Sequence, residues 1–167
     1  RYICEVVPTL LDSDAFYHDR DRPETLKQMQ HMGQDAFFNQ YRRHPLWNEL
    51  AELLVGEPVD PQDPEWFNKP PGTEHPTPPH QDNYYFCMKP PNVATLWVAI
   101  DESDEENGCL RYVRGSYRQG TRPHSASQVL GFSQGITDYG PADEQLAGPM
   151  CLHPGDLIAH HGETIHR

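Results

Sequence analysis

Seventeen prolines in 167 residues constrain this chain more than any other feature. Each fixes φ and removes a backbone donor, so long helices are confined to the stretches where proline is sparse. From Pro58 onward, Pro, Gly and Asn cut the sequence into short extended runs. The strongest runs from Ala94 to Asp101, with Leu96, Val98 and Ile100 on one face and Thr95, Trp97, Ala99 and Asp101 on the other. Cys109–Val113 returns as a strand after an Asn107-Gly108 turn and stops at Gly115-Ser116. Trp66–Lys69, Leu157–His160 and Thr164–His166 read as further short strands, the last two after a Pro154-Gly155-Asp156 turn. Residues 119–148 read as a long polar loop or lid.

The upstream third is patterned for helices. One is predicted from about Pro23 to Arg42, interrupted by Gly33. A second follows His44-Pro45, where Leu46, Leu50, Leu53 and Leu54 repeat as one apolar face suited to buttressing a sheet; Gly56 and Pro58 end it. Tyr2–Val7 is a candidate edge strand, and Asp12-Ser13-Asp14 and Asp19-Arg20-Asp21 are solvated turns. The expected fold is mainly β with flanking helices, a sandwich or barrel-like jelly roll. It forms a single domain, with a helical part over about 1–57 and a β core over about 58–167.

With 13 Lys+Arg against 25 Asp+Glu, the net charge is −12 and no basic cluster interrupts it. That balance argues against nucleic acid and anionic membranes as partners, and the substrate class left open is a small molecule. No apolar run reaches the ~20 residues that span a bilayer. Cys4, Cys87, Cys109 and Cys151 form no C-x-x-C pair, which predicts reduced, mostly buried thiols in a cytosolic protein. The chain starts at Arg1 without Met and stops at Arg167 as a motif completes, so both ends read as cut.

Ten histidines are the unusual chemical feature. His80 and Asp82 are two residues apart, so in an extended strand they point the same way, about 6 to 7 Å apart. One cation would take both, and a second histidine would complete a 2-His-1-carboxylate face suited to non-haem Fe(II). His160, His161 and His166 all qualify on spacing. The competing reading has Asp82 capping a turn and His80 bonding a carbonyl.

His80-Gln81-Asp82-Asn83-Tyr84-Tyr85-Phe86, Leu96-Trp97-Val98-Ala99, Asn107-Gly108-Cys109-Leu110, Gly115-Ser116 and Gly155-Asp156…His166 stand in an order that resembles the phytanoyl-CoA dioxygenase family. The likeness runs from about Asn68 to the end. It implies a double-stranded β-helix (a cupin-like jelly roll) and an Fe(II)- and 2-oxoglutarate-dependent dioxygenase. Such an enzyme uses O2 to hydroxylate a small metabolite while 2-oxoglutarate becomes succinate and CO2.

The same resemblance implies His80, Asp82 and His166 as iron ligands, which leaves His160 and His161 behind them or at the surface. Asp82 argues for hydroxylation, because related halogenases have a small residue there. The family's co-substrate arginine lies beyond Arg167, which is itself too early for the role. Arg114-Gly115-Ser116-Tyr117 departs from the family's Pro-Gly-Ser-His.

For the co-substrate the resemblance points to Trp97. Lys69 is a candidate to assist a carboxylate, and Gln62, Gln28 and Gln30 are weaker ones. Gln81, Tyr84, Tyr85, Phe86 and His124 are candidates for the substrate mouth, with Tyr84 and Phe86 placed on the ligand face by period two. Two other classes stay open: a non-catalytic metal-binding jelly roll (sensor or storage) and a zinc hydrolase.

Overall fold

A computed structural model describes residues 5–10, 14–73 and 76–167. Residues 2–4 of the predicted 2–7 edge strand, with Cys4 among them, and Asp12-Ser13 and His75 lie outside the described residues; the described remainder is not a strand, since Val7–Thr9 is a 3-10 turn with Pro8 in its first turn. The chain divides into two compact units, Arg1–His75 and Pro76–Arg167.

The first unit is built on a three-stranded antiparallel sheet, β1 (Ala15–Tyr17), β2 (Leu26–Met29) and β3 (Trp66–Phe67), with β2 in the centre. Here the predicted long helix fails: only Ala36–Arg42 (α1) is α-helical, and Leu26–Met29 is a strand. Leu26 and Met29, three apart, mimic a helical stripe, but β2 is paired on both edges, Gln28 opposite both Phe16 and Phe67. Tertiary pairing overrides local propensity there. All four β2 residues are buried, Lys27 and Gln28 included. Leu26 and Met29 join Val7, Ala15 and Met32 in the core, with Leu10, Tyr17, Phe38 and Trp66 packed against it.

Helix α1 is capped by Asp35, whose carboxylate accepts from the Phe37 amide. Helix α2 (Pro45–Val55) forms as predicted, with Pro45 at its first turn and Gly56 left-handed at φ 84°. Its leucines do not buttress the sheet, however: Leu46, Leu53 and Leu54 are 56, 80 and 51% exposed. The core of this unit is filled by other side chains.

The second unit is made of antiparallel pairs. β4 (Ala94–Val98) pairs with β9 (Leu157–His161) from Ala94↔His161 to Val98↔Leu157. β5 (Arg111–Val113) pairs with β8 (Ala147–Pro149). The Ile165–Arg167 segment is bonded on both sides: His166 exchanges backbone hydrogen bonds with His80, while Arg111 exchanges them with Arg167 and Val113 donates to Ile165. His80, the His166 segment, β5 and β8 therefore form one row. Ile165 is 1% exposed, and its amide donates to the buried Ser116 hydroxyl.

Residues 119–148 are not a long loop. They form a hairpin, β6 (His124–Val129) and β7 (Phe132–Ile136), and a short helix α4 (Pro141–Leu146). Gly131 takes the left-handed turn position at φ 80°. Arg122 ties the segment together, bridging Asp138 at 2.9 Å and Asp143 at 2.7 Å. The cysteines are less buried than predicted: Cys109 is buried, but Cys87 and Cys151 are exposed. Among the described residues no helix is long and apolar enough to cross a membrane.

Candidate metal centre

The predicted extended strand through His80 and Asp82 ends at Gln81. Asp82 opens a short helix, α3 (Asp82–Phe86), with the Asn83 amide bonded to the Gly162 carbonyl. The two side chains still converge, because the turn into the helix swings the carboxylate back towards His80. His80 Nε2 lies 3.7 Å from Asp82 Oδ1, and His166 Nε2 lies 3.5 Å from the same oxygen. Among the described residues, His80, Asp82 and His166 are the group whose donor atoms all lie within 4.8 Å of one another.

The partners of the outer ring nitrogens decide what these atoms can do. His80 Nδ1 is 2.9 Å from the Pro78 carbonyl and His166 Nδ1 is 3.0 Å from the Thr164 carbonyl. A carbonyl only accepts, so each Nδ1 carries the hydrogen and each Nε2 turns a lone pair inward. Two lone pairs and a carboxylate oxygen then face one another, an arrangement that repels itself unless a cation lies between. The set of two neutral imidazoles and one carboxylate is the donor chemistry of a divalent transition metal.

Burial pushes His80 down and His166 down to about 3, which keeps both imidazoles neutral and able to ligate. Burial alone would raise Asp82, but the hydrogen bond from His160 (2.9 Å), the electrostatic pull of His166 and His160, and the hydrogen bond from Thr95 (2.6 Å) outweigh it and hold the carboxyl well below the ordinary range.

The Phytanoyl-CoA dioxygenase (PhyH) family model matches residues 9–167. The chain belongs to that family. It is 31% identical over 137 residues to a phytanoyl-CoA dioxygenase of Arabidopsis thaliana, covering 80% of this chain and 47% of that protein. It is 26% identical over 151 residues to the peroxisomal phytanoyl-CoA dioxygenase of Bos taurus, covering 86% of this chain and 44% of that protein. The chain thus spans less than half the length of these relatives. Among solved structures it is similar in fold to EvdO2 from Micromonospora carbonacea var. aurantiaca complexed with 2-oxoglutarate. There the TM-score is 0.63 at 23% identity, over 83% of this chain and 58% of that one. It is likewise similar to the epimerase SnoN in complex with Fe3+, alpha ketoglutarate and nogalamycin RO, with a TM-score of 0.60 at 22% identity over 84% and 56%.

The remaining predicted residues fall into distinct places. Gln81 is 0% exposed and fully engaged: its amide donates to the Gly120 and Glu163 carbonyls and accepts from the Arg122 amide. Because α3 replaces the strand, period two does not hold beyond Asp82. Tyr85, not Tyr84, stands edge-on to His80 at 5.9 Å, with its hydroxyl donating to the Gln134 carbonyl. Phe132 lies on the same ring at 5.0 Å. Tyr84 stacks on His124 at 4.1 Å, and Phe86 is 48% exposed. His124 Nε2 accepts from the Gln81 amide and its Nδ1 donates to the Arg122 carbonyl, so both nitrogens are occupied.

Trp97 lies on β4, on the strand face that also carries Thr95. Lys69, Gln62, Gln28 and Gln30 belong to the first unit. There Gln28 donates to Glu65, Gln62 donates to the Asp60 carbonyl, and the Gln30 backbone amide donates to the Asp14 carbonyl. Burial, followed by the positive charge of Lys69, lowers Lys27. Arg167 pairs with Glu144 at 2.6 Å. His161 Nδ1 accepts from the Glu163 amide, whereas His160 is buried against Asp82.

Sequence reasoning missed Thr95, Tyr112, Ser116 and Phe132 as neighbours of the centre. Thr95 was within reach, since period two puts it beside Trp97. Phe132 carried no signal once its hairpin was read as a loop.

Proposed function

We propose that this chain carries the iron centre of an Fe(II)- and 2-oxoglutarate-dependent dioxygenase that hydroxylates a small organic molecule. The observation that carries this reading is the convergence of two inward lone pairs and one carboxylate oxygen within a buried cluster. Family membership supports it, as does the likeness to structures holding 2-oxoglutarate or Fe3+. The strand pairings support a double-stranded β-helix, with β4–β9 in one sheet and the His80 row in another.

His80 Nε2, Asp82 Oδ1 and His166 Nε2 would hold the metal. When bound, iron supplies the oxidising chemistry that couples decarboxylation of 2-oxoglutarate to hydroxylation of the substrate. The protein's part is to hold the two imidazoles neutral by burial, to turn each Nε2 inward through the Pro78 and Thr164 carbonyls, and to keep Asp82 ionised. Tyr85 and Phe132 wall the His80 side and exclude water there. Trp97, through its shared face with Thr95, is the co-substrate neighbour that the geometry favours on the second unit. Lys69, whose charge is felt by Lys27, remains a candidate for a carboxylate on the first unit; Gln62, whose side chain donates to the Asp60 carbonyl, is a weaker one. The retained Asp82 favours hydroxylation over halogenation.

The test is anaerobic loading of the full-length protein with Fe(II) and 2-oxoglutarate, followed by oxygen. A visible charge-transfer band and succinate release are expected, and both should vanish in Asp82→Ala. Tight iron binding without succinate from any substrate would mark a storage or sensor protein instead. Turnover with Zn²⁺ and no oxygen dependence would mark a hydrolase.

A further inference from the structure

Three buried histidines crowd the centre, yet they are not equivalent. Ring centroids of His80 and His166 are 4.2 Å apart, and those of His160 and His166 are 4.4 Å apart. What separates them is the partner of Nδ1. For His80 and His166 it is a carbonyl, which forces the hydrogen onto Nδ1. For His160 it is the Tyr112 hydroxyl, at 2.6 Å. A phenol can donate or accept, but the ionised carboxylate beside Nε2 only accepts, so the hydrogen sits on Nε2 and Nδ1 accepts from the Tyr112 hydroxyl. That Nε2 points at Asp82 Oδ2, 2.9 Å away.

Asp82 is correspondingly asymmetric. Oδ2 accepts from His160 Nε2 and from Thr95 Oγ1 at 2.6 Å, which fills its two lone-pair directions. Oδ1 is the oxygen that faces His80 and His166. Left to itself, a carboxylate rotates about one bond and can offer either oxygen or both. His160 has no comparable freedom, since its side chain is 3% exposed and bonded at both ends.

We propose that His160, oriented by Tyr112, is a positioning residue that pins Asp82 Oδ2 so that Oδ1 alone is offered to the metal. The inference rests on the iron-centre reading and adds a residue to it: a donor that holds a ligand and does not itself ligate. Partners of this kind are commonly worth about 10- to 100-fold in metal affinity.

The test uses Co(II) alone, titrated into the metal-free protein and read by its visible d–d absorption. His160→Phe keeps the ring and removes the donor; it should bind Co(II) at least about tenfold more weakly and with an altered spectrum. His160→Gln restores a donor near the position of Nε2 and should recover most of the affinity and the wild-type spectrum. Tyr112→Phe removes the hydroxyl that orients His160 through Nδ1, so it should fall between the two; it carries the test if His160→Phe does not fold. Wild-type affinity and spectrum in His160→Phe, with binding still abolished in Asp82→Ala, would overturn the inference and leave the metal centre standing. A cobalt-loaded crystal structure with His160 bonded to the metal would overturn it too. Failure of the wild type to bind Co(II) would remove the centre and the inference together.

Discussion

Gln81 sits in sequence between two proposed ligands, His80 and Asp82, and the sequence places it at the substrate mouth. Its complete burial and three side-chain hydrogen bonds make it a rivet joining His80 to the 120–122 loop and to Glu163. Gln81→Leu conserves bulk but strands two carbonyls and one amide. Each such group costs about 1–3 kcal/mol, so a loss on the order of 3 kcal/mol or more is expected in denaturant unfolding. The convergence of His80, Asp82 and His166 was legible because few residue types bind iron and their order is distinctive. The brace around Asp82 was not, because Thr95 and Tyr112 are ordinary residues until folding brings them to Asp82 and His160.

Elements were legible where local chemistry decided them. Helix α2 begins at Pro45 and ends at Gly56 as its punctuation requires. The Pro154-Gly155-Asp156 turn and β9 also follow the sequence, with the Gly155 turn at φ 92°. β2 and the β6–β7 hairpin were illegible because their pairing partners, not their own residues, make them strands. The α2 leucines give a direct check: Leu53 is 80% exposed, so Leu53→Ser should shift the unfolding free energy of this chain by no more than about 0.5 kcal/mol. A much larger loss would mean that the stripe is packed after all. Gly162 is the opposite case. Its amide donates to the Val93 carbonyl and its own carbonyl receives the Asn83 amide. An added Cβ would meet Val93 and Asn83 side chains at 3.2 and 3.3 Å. Gly162→Ala should cost about 1–3 kcal/mol in a melt and weaken metal binding by displacing α3.

For the molecule as a whole, buried histidines set the response to acid. His166 is held down to about 3, and His80 and His124 are also lowered, all chiefly by burial. In the unfolded chain these groups titrate near 6.5, so below that pH the unfolded state takes up protons the folded state refuses. Their contribution is complete above about pH 6.5 and is lost as pH falls towards the folded values. His31 beside Asp14 and His153 beside Glu102 run the other way, raised by their partners. Both are exposed and screened, so they count for little. The metal-free protein should melt at a constant temperature from pH 7 to 8 and at progressively lower ones towards pH 5.

The central claim is that His80, Asp82 and His166 form one iron site, and equilibrium binding tests it most directly. Anaerobic titration calorimetry with Fe(II) should give one ion per chain for the wild type and no measurable binding in His80→Ala, Asp82→Ala or His166→Ala variants that melt like folded protein. Wild-type binding in any of the three, or none in the wild type, would contradict it.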